Sequence, residues 1–380
     1  MIVIADDITG AAEMAGIAWA KGYNARLVCG CNIAIDATGA AVFIATDTRS
    51  MSESEAVAEI RRLIPELRSP APALLACYQR DARTRSLSLI TSCLFKKTDS
   101  ALRGHVMAEL STLMETMGYE RAVYMPANPS KGRVIREGVY YIDGKPLHET
   151  DFSFDPEYPA KTSVLKERFP DAEAHHILMP DAETVEDVKR IVADYDDGRT
   201  LFAGAADLFR SSFARLLPKG RKNALMHRQA STPSYSFQLL PTPSSSLILC
   251  GSTQSKPLAI GLPTAPMPRE IYDGSDDLSL WDVGAYEKEH GLILTIPYTH
   301  RTGKAAAVHL RKMMAAMAKR LVGEHHPDHL VVEGGATAWA TFEALGWDSF
   351  QIEREFAPGV VQMRASNGTL VTLKPGSYPW

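Results

Sequence analysis

Short apolar strand patterns alternate with amphipathic helix patterns along most of this chain, and this alternation constrains the fold more than any other feature. Residues 1–5 form a β-branched run that is typical of a buried strand, and residues 11–23 carry apolar side chains at helical spacing. Strand patterns return at 26–31 and at 40–50, and a helix pattern follows over 52–67. Strands separated by helices favour a mostly parallel sheet with helices on both faces.

A change of composition divides the chain. Residues 218–246 are rich in Ser, Pro, Lys and Arg and show little apolar periodicity, which is typical of a region between domains. We therefore predict an α/β protein of two α/β domains, residues 1–225 and 226–380, with mostly parallel sheets and a cleft between them. Within the first domain, Asp143-Gly144 predicts the turn of a β-hairpin.

Charge and cysteine content exclude several classes of protein. The 41 Lys and Arg against 45 Asp and Glu leave a net charge of −4, which argues against a general nucleic-acid binder. No run of 18 apolar residues predicts a membrane span, and the N-terminus lacks the features of a secretory signal. Five cysteines make no disulfide framework. We expect a cytoplasmic protein that acts on small molecules without nucleic acid or membrane, and a homodimer is one possible assembly.

Four polar clusters follow predicted strands in the first domain. In open parallel sheets, ligands bind beyond the carboxyl ends of the strands, so these clusters are the candidate site. Their mixture of cations, carboxylates and hydroxyls suits a small polyhydroxylated anion, because Arg and Lys hold a carboxylate while Asp accepts from hydroxyls. The clusters are Asp6-Asp7 with Thr9-Gly10, Thr46 to Arg49, Lys96 to Ser100 with Arg103-Gly104, and Asn128 to Arg133.

Each cluster also has a purely structural interpretation. Asp6 or Asp7 would cap the helix that follows, although two adjacent carboxylates exceed what one cap needs. Arg49 and Arg133 fit equally well as exposed loop charges. Both interpretations stay open for these residues.

The cluster around Asp99 is the densest. Asp99 or Ser100 would cap a helix beginning at Ala101, but a cap explains neither Lys97 nor Arg103. We therefore favour a role in binding for this cluster.

The second domain has glycine turns directly after two strand patterns. Cys250-Gly251-Ser252-Thr253 follows one, and Gly334 to Thr337 follows the other and precedes a helix. Glycine lets backbone N–H groups approach an oxyanion, and a helix N-terminus favours its charge, so we predict a phosphate cradle. Neither GxxxxGK[ST] nor GxGxxG occurs, which excludes a Walker loop and a dinucleotide fingerprint. Lys374-Pro375-Gly376 forms a third loop that could reach the same site.

Two groups of metal-ligand residue types favour structural roles. Cys29 and Cys31 form a C-x-C pair with no second pair at ligand spacing, which favours a buried strand end. His325, His326 and His329 have no acidic partner at ligand spacing. We therefore predict no site for a resident metal ion.

Four motifs together resemble the four-carbon acid sugar kinase family. They stand in the expected order and are spread over most of the chain: ADDITGA at 5–11, KTDSALRGH at 97–105, PANPSKGR at 126–133 and EGGATA at 333–338. The resemblance implies an N-terminal sugar-acid-binding domain and a C-terminal nucleotide-binding domain. It implies phosphorylation, by ATP with Mg²⁺, of the 4-hydroxyl of acids such as D-threonate, D-erythronate and 3-oxo-tetronate.

The resemblance also implies site residues. The substrate side would comprise Asp7, Arg49, Lys97, Thr98, Asp99 and Ser100, to which the residue patterns add Asp6, Arg103 and Arg133. The nucleotide side would comprise Ser252, Gly334, Gly335, Ala336, Thr337 and Gly376. Asp99 and Asp7 are the candidates for the carboxylate that orients the attacking hydroxyl, and Asp99 is slightly favoured. Arg49, Lys97 and Arg103 would anchor the substrate carboxylate.

Three departures from the family pattern bear on the second domain and on the loop after Arg103. His105 stands where the family often has Asn, Ala336 replaces an acidic or polar residue, and the chain ends KPGSYPW rather than in a segment like KSGNFG. An alternative function is therefore a non-catalytic sugar-acid-binding protein with a degenerate nucleotide domain. A third hypothesis, an aspartyl-nucleophile phosphatase, fits poorly because such enzymes need Asp-x-Asp rather than Asp6-Asp7.

Overall fold

The structure is a computed structural model, which describes residues 1–31, 41–68, 94–155, 157–213, 245–251, 261–299 and 303–376. The chain forms two compact units. One comprises Met1–Met14 and Gly30–Met226, and the other comprises Ala15–Cys29 and His227–Trp380. The predicted boundary between residues 225 and 226 lies outside the described residues and stays a prediction. Within the described part of the chain, no helix has the length and hydropathy needed to cross a membrane.

Both units combine strands with helices, which confirms the predicted α/β class. The strands, in chain order, are β1 (Ile2–Ala5), β2 (Ala25–Cys29), β3 (Ala41–Ala45), β4 (Leu94–Lys97), β5 (Arg121–Met125), β6 (Arg133–Arg136), β7 (Val139–Ile142), β8 (Lys145–Pro146), β9 (Ile177–Leu178), β10 (Thr200–Gly204), β11 (Ser246–Cys250), β12 (Thr264–Pro266), β13 (Gly291–Thr295), β14 (His329–Glu333), β15 (Ser349–Ala357), β16 (Val360–Ala365) and β17 (Leu370–Lys374).

The helices connect and flank these strands. In chain order they are α1 (Ile8–Ala20), α2 (Glu53–Arg68), α3 (Val106–Met117), α4 (Leu165–Arg168), α5 (Val185–Asp194), α6 (Ala206–Ser212), α7 (Arg269–Tyr272), α8 (Ala285–Glu289), α9 (Lys304–His325) and α10 (Gly335–Leu345). Short 3-10 helices lie at Thr48–Ser50, Pro129–Lys131, Leu147–Glu149, Asp151–Phe154 and Leu278–Leu280.

The first unit contains a parallel sheet with the strand order β3-β1-β4-β10-β5-β9. Every residue of β1, β3 and β10 is buried, as expected for strands that helices cover on both faces. Phe209 of α6 packs edge-to-face on Phe43 and Phe95 and fills part of this core.

A separate antiparallel sheet, β6-β7-β8, lies in the same unit. Its second turn is Asp143-Gly144, which confirms the predicted hairpin. Both residues have positive φ, 50° and 79°, as a two-residue hairpin turn of the primed type requires.

The sheet of the second unit has a parallel part, as predicted, and an antiparallel part, which was not predicted. The order β12-β13-β11-β14-β17 is parallel, but β17-β16-β15-β2 is antiparallel. Only Pro358-Gly359 separates β15 from β16, and so short a connection permits antiparallel pairing alone. β2, predicted as part of a parallel sheet, pairs antiparallel with β15.

Two helices of the first unit begin at residues other than those predicted from the sequence. α1 begins at Ile8, earlier than predicted, because Asp7 Oδ1 accepts from Gly10 N at 2.8 Å and caps the helix. The helix predicted from Ala101 is wrong, since α3 begins at Val106. Leu102 and Gly104 have positive φ, 64° and 91°, which a continuous right-handed helix does not allow.

Buried His329 on β14 makes stability depend on pH. Its Nε2 lies 2.9 Å from Thr372 Oγ1, and burial lowers the pKa of the ring from 6.5 to about 4. Between those values the unfolded chain binds more protons than the folded one, so the free energy of unfolding falls as pH falls. We expect a loss of about 2 kcal/mol at pH 5 relative to pH 7 from this residue.

Denaturant unfolding of the wild type and of His329→Gln at both pH values measures this loss. The variant should lose about 2 kcal/mol less than the wild type on acidification, whereas the matched control His175→Gln, at an exposed position, should behave like the wild type. Equal pH dependence in the wild type and His329→Gln would contradict the assignment.

Candidate functional site

The carboxyl ends of the neighbouring strands β1, β3 and β4 bring the polar clusters of the first unit together around Arg49. Its guanidinium contacts Asp6 Oδ2 through Nε at 2.9 Å and Nη2 at 2.8 Å, and Asp7 Oδ2 through Nη1 at 3.2 Å. Nη2 also lies 3.6 Å from Asp99 Oδ1. Three carboxylates therefore surround one guanidinium, and they raise the pKa of Arg49 further despite its burial. Arg49 is thus a member of the cluster rather than an exposed loop charge.

Asp7 caps α1 and also lies in the cluster around Arg49. It caps α1 through Gly10, and its Oδ2 accepts from Thr9 Oγ1 at 2.5 Å and from Arg49. A Cβ at Gly10 would lie 2.8 Å from Asp7 Oδ1 and 3.2 Å from Lys97, so only glycine permits this approach. Burial raises the pKa of Asp7, but Arg49 and Lys97 outweigh it and hold the pKa below its ordinary value. Asp7 is therefore an ionised acceptor.

Asp99 is more heavily engaged than Asp7. The Arg103 side chain donates two hydrogen bonds to Asp99, from Nε to Oδ2 at 2.8 Å and from Nη2 to Oδ1 at 3.0 Å. Oδ2 also accepts from the backbone N–H groups of Ala101 at 3.0 Å and Arg103 at 3.3 Å. Against its burial, Arg49 and Arg103 hold the pKa of Asp99 well below its ordinary value. Asp99 thus fixes the loop between β4 and α3.

Lys97 points into the cluster, whereas its neighbour Lys96 does not contribute to it. Lys97 Nζ donates to Thr98 O at 2.7 Å and lies 4.0 Å from Glu13 Oε2. Lys96, which side-chain alternation directs to the other face of β4, forms a fully buried ion pair with Glu109 of α3.

Glu13 also belongs to this cluster, and sequence reasoning missed it. It accepts from Lys131 Nζ at 2.9 Å, and Lys97 and Lys131 hold its pKa below the ordinary value in spite of burial. A signal was available, because Glu13 is the one charged side chain in the sequence of α1.

Arg133 lies beside Ser100 at the start of the antiparallel sheet. Its Nη1 donates to Ser100 Oγ, and its guanidinium carbon lies 5.8 Å from the centroid of Phe152. Arg103 lies 5.6 Å from the same ring. Tyr140 OH donates to Ser100 O at 2.5 Å and fixes that residue. The backbone N–H of buried Thr98 donates a hydrogen bond to Gly204 O, which ties the start of the loop between β4 and α3 to the end of β10.

His105 and Tyr158 hold the backbone next to Arg49, and sequence reasoning did not identify Tyr158. Tyr158 OH donates to Arg49 O at 2.6 Å and lies 3.2 Å from His105 Nε2. The same ring nitrogen lies 2.8 Å from Met51 O. The departure from the family's Asn at position 105 is therefore accommodated by contacts that fix this loop.

In the second unit, the carboxyl ends of the adjacent strands β11, β14 and β17 bring the predicted loops to one edge of the sheet. Gly334, with φ of 92°, precedes α10, whose first residues are Gly335, Ala336 and Thr337. Gly251 packs against Thr337, and a Cβ there would overlap Thr337 Oγ1. Gly376 lies in the turn after β17, and Ser252 lies outside the described residues.

A buried ion pair lies directly under the Gly334 turn, and sequence reasoning did not identify it. Lys374 Nζ donates to Glu333 Oε1 at 2.6 Å, and both side chains have no solvent exposure. Lys374 O accepts from Gly334 N at 2.8 Å, so the pair and the turn form one unit. The sequence did contain a signal for this ion pair, because each of the two strands HLVVE and LVTLK ends on a charged residue.

Three of the residues considered as metal ligands contact other side chains. Cys31 Sγ lies 2.8 Å from Glu59 Oε1, the His325 ring stacks on Tyr286, and His329 contacts Thr372. Among the residues with described positions, no group of three His, Cys, Asp or Glu side chains could hold a metal ion.

The two sites differ in the chemistry that they can perform. The first site, which we call the first-unit cluster, consists of charged residues of the first unit: Asp6, Asp7, Glu13, Arg49, Lys97, Asp99, Arg103, Lys131 and Arg133. Its cations can bind an anionic group, and its ionised carboxylates can accept from hydroxyls. The Gly334 turn presents first-turn backbone N–H groups of α10, which favour an anion such as a phosphate.

Comparisons with known proteins agree with this division. A family model described as the sugar-binding N-terminal domain matches residues 1–198, and one described as the nucleotide-binding C-terminal domain matches residues 294–378. A D-threonate kinase of Salmonella typhimurium is 28% identical over 167 residues, which are 44% of this chain and 35% of that protein. A 3-oxo-tetronate kinase of Brucella melitensis is 23% identical over 442 residues, covering 99% of this chain and 92% of that protein.

The chain spans about a third of the length of the first curated relatives that it matches. A solved structure of a Haemophilus influenzae protein shares the fold, with a TM-score of 0.62 and 17% identity over 99% of this chain and 96% of that one. The sugar-binding family model covers just over half of the chain, and the second model covers the Gly334 turn. The chain therefore belongs to the four-carbon acid sugar kinase family.

Proposed function

We propose that this protein is an ATP-dependent kinase that phosphorylates the 4-hydroxyl of a four-carbon sugar acid of the threonate, erythronate or oxo-tetronate type. The observation that carries the proposal is the convergence of Asp7, Arg49, Lys97 and Asp99 at one edge of the first sheet. The names of the relatives, D-threonate kinase and 3-oxo-tetronate kinase, support the substrate class.

The proposed substrate site needs both signs of charge. A short sugar acid carries one carboxylate and several hydroxyls, so it requires a cation at one end and acceptors along its length. The first-unit cluster supplies ionised Asp7 next to Lys97, with both side chains held in place by neighbours. Held side chains lose little further entropy when a ligand arrives, which favours binding.

The proposed phosphate site is the Gly334 turn. The N-terminal end of α10 would bind phosphate oxygens of ATP through backbone N–H groups, with Gly334, Gly335, Ala336, Thr337 and Gly376 lining it. Ser252 belongs to the same proposal from the sequence. Mg²⁺ bound with ATP is held largely by phosphate oxygens and one or two carboxylates, so it needs no dedicated cage of protein ligands.

Phosphoryl transfer depends on positioning and charge neutralisation more than on covalent chemistry. The chain must therefore supply a carboxylate that orients the attacking hydroxyl. We propose Asp7 for this role in preference to Asp99. Asp99 accepts two bonds from the Arg103 side chain and two from backbone N–H groups, which occupies its oxygens.

A coupled assay of ADP formation tests the function. We expect D-threonate, D-erythronate or 3-oxo-tetronate to stimulate ATP turnover by the purified protein at least about tenfold over the protein with ATP alone, because water is a poorly positioned acceptor. The neutral four-carbon polyol threitol is the control and should not stimulate turnover.

A thermal-shift measurement with ATP separates the alternative function. A nucleotide that binds the native state alone raises the melting temperature. A protein that is stabilised by a sugar acid, is unaffected by ATP and shows no acid-stimulated turnover would contradict the kinase and support the non-catalytic binding protein.

A further inference from the structure

The cations of the first-unit cluster differ in how far protein carboxylates already neutralise them. Arg49 contacts three carboxylates, and Arg103 contacts two, Asp99 and Asp155. Lys131 is paired with Glu13, which also lies within 4.0 Å of Lys97. These four cations all have an acidic partner within the protein.

Arg133 is the exception. Within the part of the chain that the structure describes, no carboxylate lies within ion-pair distance of its guanidinium. Its side-chain contacts are the hydroxyl of Ser100 and the ring of Phe152, and the residue is only half-buried. The charge of Arg133 is therefore available to an anion that comes from outside the protein.

The backbone holds Arg133 in a fixed place. Asn128 N donates to Arg133 O at 2.7 Å, and Arg133 N donates to Asn128 O at 3.2 Å, at the base of the loop that leads into β6. Ser130 N and Oγ each donate to buried Asp207 at 2.8 Å and fix the tip of that loop. The Phe152 ring supports the guanidinium, an arrangement that leaves its N–H groups free to point elsewhere.

We propose that Arg133 binds the carboxylate of the substrate and thereby selects an acid over a neutral sugar. That the ligand is a sugar acid rests on the function proposed above. The residue that we assign to its carboxylate differs from Arg49, Lys97 and Arg103, which the sequence favoured. A guanidinium offers a planar fork of N–H donors that matches a carboxylate with two parallel bonds. Ser100, which already contacts Arg133, would add a hydroxyl donor on the same side.

The paired cations are poorer anchors for an electrostatic reason. If Arg49 turned to a substrate carboxylate, it would leave buried Asp6 without its ion-pair partner and would leave Asp7 with Lys97 as its neighbouring cation. The loss of one partner from a buried ion pair is strongly unfavourable. Arg133 leaves no carboxylate uncompensated when it binds an external one.

Calorimetric titration of three variants tests the assignment, without nucleotide and with a non-hydrolysable ATP analogue. The probes are D-threonate, D-erythronate and the neutral amide of D-threonate. We expect Arg133→Met to weaken binding of the acids by about 30-fold or more, as is typical when one side of a close charge pair is removed. Its affinity for the amide should change less than about threefold.

Two further variants distinguish a binding role from a structural one. Arg133→Lys keeps the charge but not the fork and should recover part of the affinity for the acids. Arg136→Met removes a half-exposed arginine from the same strand, where it contacts Glu183 at 3.7 Å and stacks over Tyr141, and it should bind the acids like the wild type.

The outcomes separate this inference from the proposed function. Unchanged acid affinity in Arg133→Met, or equal losses for acid and amide, would overturn the role of Arg133 even if the wild type is a kinase. A wild type that binds the acids through Arg133 but never consumes ATP would refute only the kinase. A wild type that binds none of the acids, with or without the analogue, would overturn both.

Discussion

Asp7→Asn should lower kcat for acid-dependent ATP consumption by about 10²- to 10⁴-fold, the usual range for a group that handles the proton of a reacting hydroxyl. Asparagine keeps the oxygen that caps α1 through Gly10 N and is itself a favoured cap, so the helix should form normally. It removes the negative charge that attracts and orients the hydroxyl. Steady-state kinetics at saturating acid and ATP, with a thermal melt of the same sample, measure both effects.

Asp99→Asn is the matched comparison. Because Asp99 holds Arg103 through two bonds and closes the loop through two backbone N–H groups, its replacement should disturb binding and stability more than the chemical step. We expect a raised KM and a lowered melting temperature, with a smaller fall in kcat than in Asp7→Asn. The reverse order of the two kcat values, with both variants stably folded, would assign the orienting role to Asp99.

Lys374→Met should destabilise the protein by about 3–5 kcal/mol, the cost of leaving a buried carboxylate without its ion-pair partner. Glu333 and Lys374 have no solvent exposure, and Lys374 Nζ lies 2.6 Å from Glu333 Oε1. Because the carbonyl of Lys374 also accepts from Gly334 N, the damage should reach the glycine turn. Denaturant unfolding measures the free energy of unfolding. The rise in melting temperature on addition of ATP measures whether the Gly334 turn still binds nucleotide.

Two control variants test whether the loss of stability comes from the buried ion pair. The double variant Lys374→Met with Glu333→Leu removes both charges and should recover most of the stability, since a buried pair can be replaced by apolar side chains. Arg364→Met breaks the exposed pair with Glu353 on neighbouring strands and should cost less than about 1 kcal/mol. A loss below 1 kcal/mol in Lys374→Met would contradict a role for the buried pair.

Local features of the sequence were sufficient to predict the fold class and the positions of the described loops at the two candidate sites. Alternating strand and helix patterns predicted the parallel sheets, and the polar residues after β1, β3 and β4 predicted which loops converge. The Asp143-Gly144 hairpin was equally local, because two residues determine its turn. These predictions succeed because periodicity and turn chemistry depend on neighbours along the chain.

Pairing across the sheets needed the tertiary structure. The antiparallel partner of β2 is more than 300 residues away in β15, and no local pattern specifies it. The start of α3 at Val106 rather than at Ala101 also could not be predicted locally, because the positive φ of Leu102 belongs to a loop that Asp99 organises.

The sequence by itself indicated most of the charged residues of the first-unit cluster, although not Glu13, but the tertiary structure decided which of them are already neutralised. Arg49, Arg103 and Arg133 look alike in the sequence, as a cation in a polar loop after a strand. Folding brings Asp7 to Arg49 and Asp155 to Arg103 from separate loops, and it leaves Arg133 facing a hydroxyl and an aromatic ring. Electrostatic balance depends on distances between residues far apart in the chain, and those distances exist only in the folded protein.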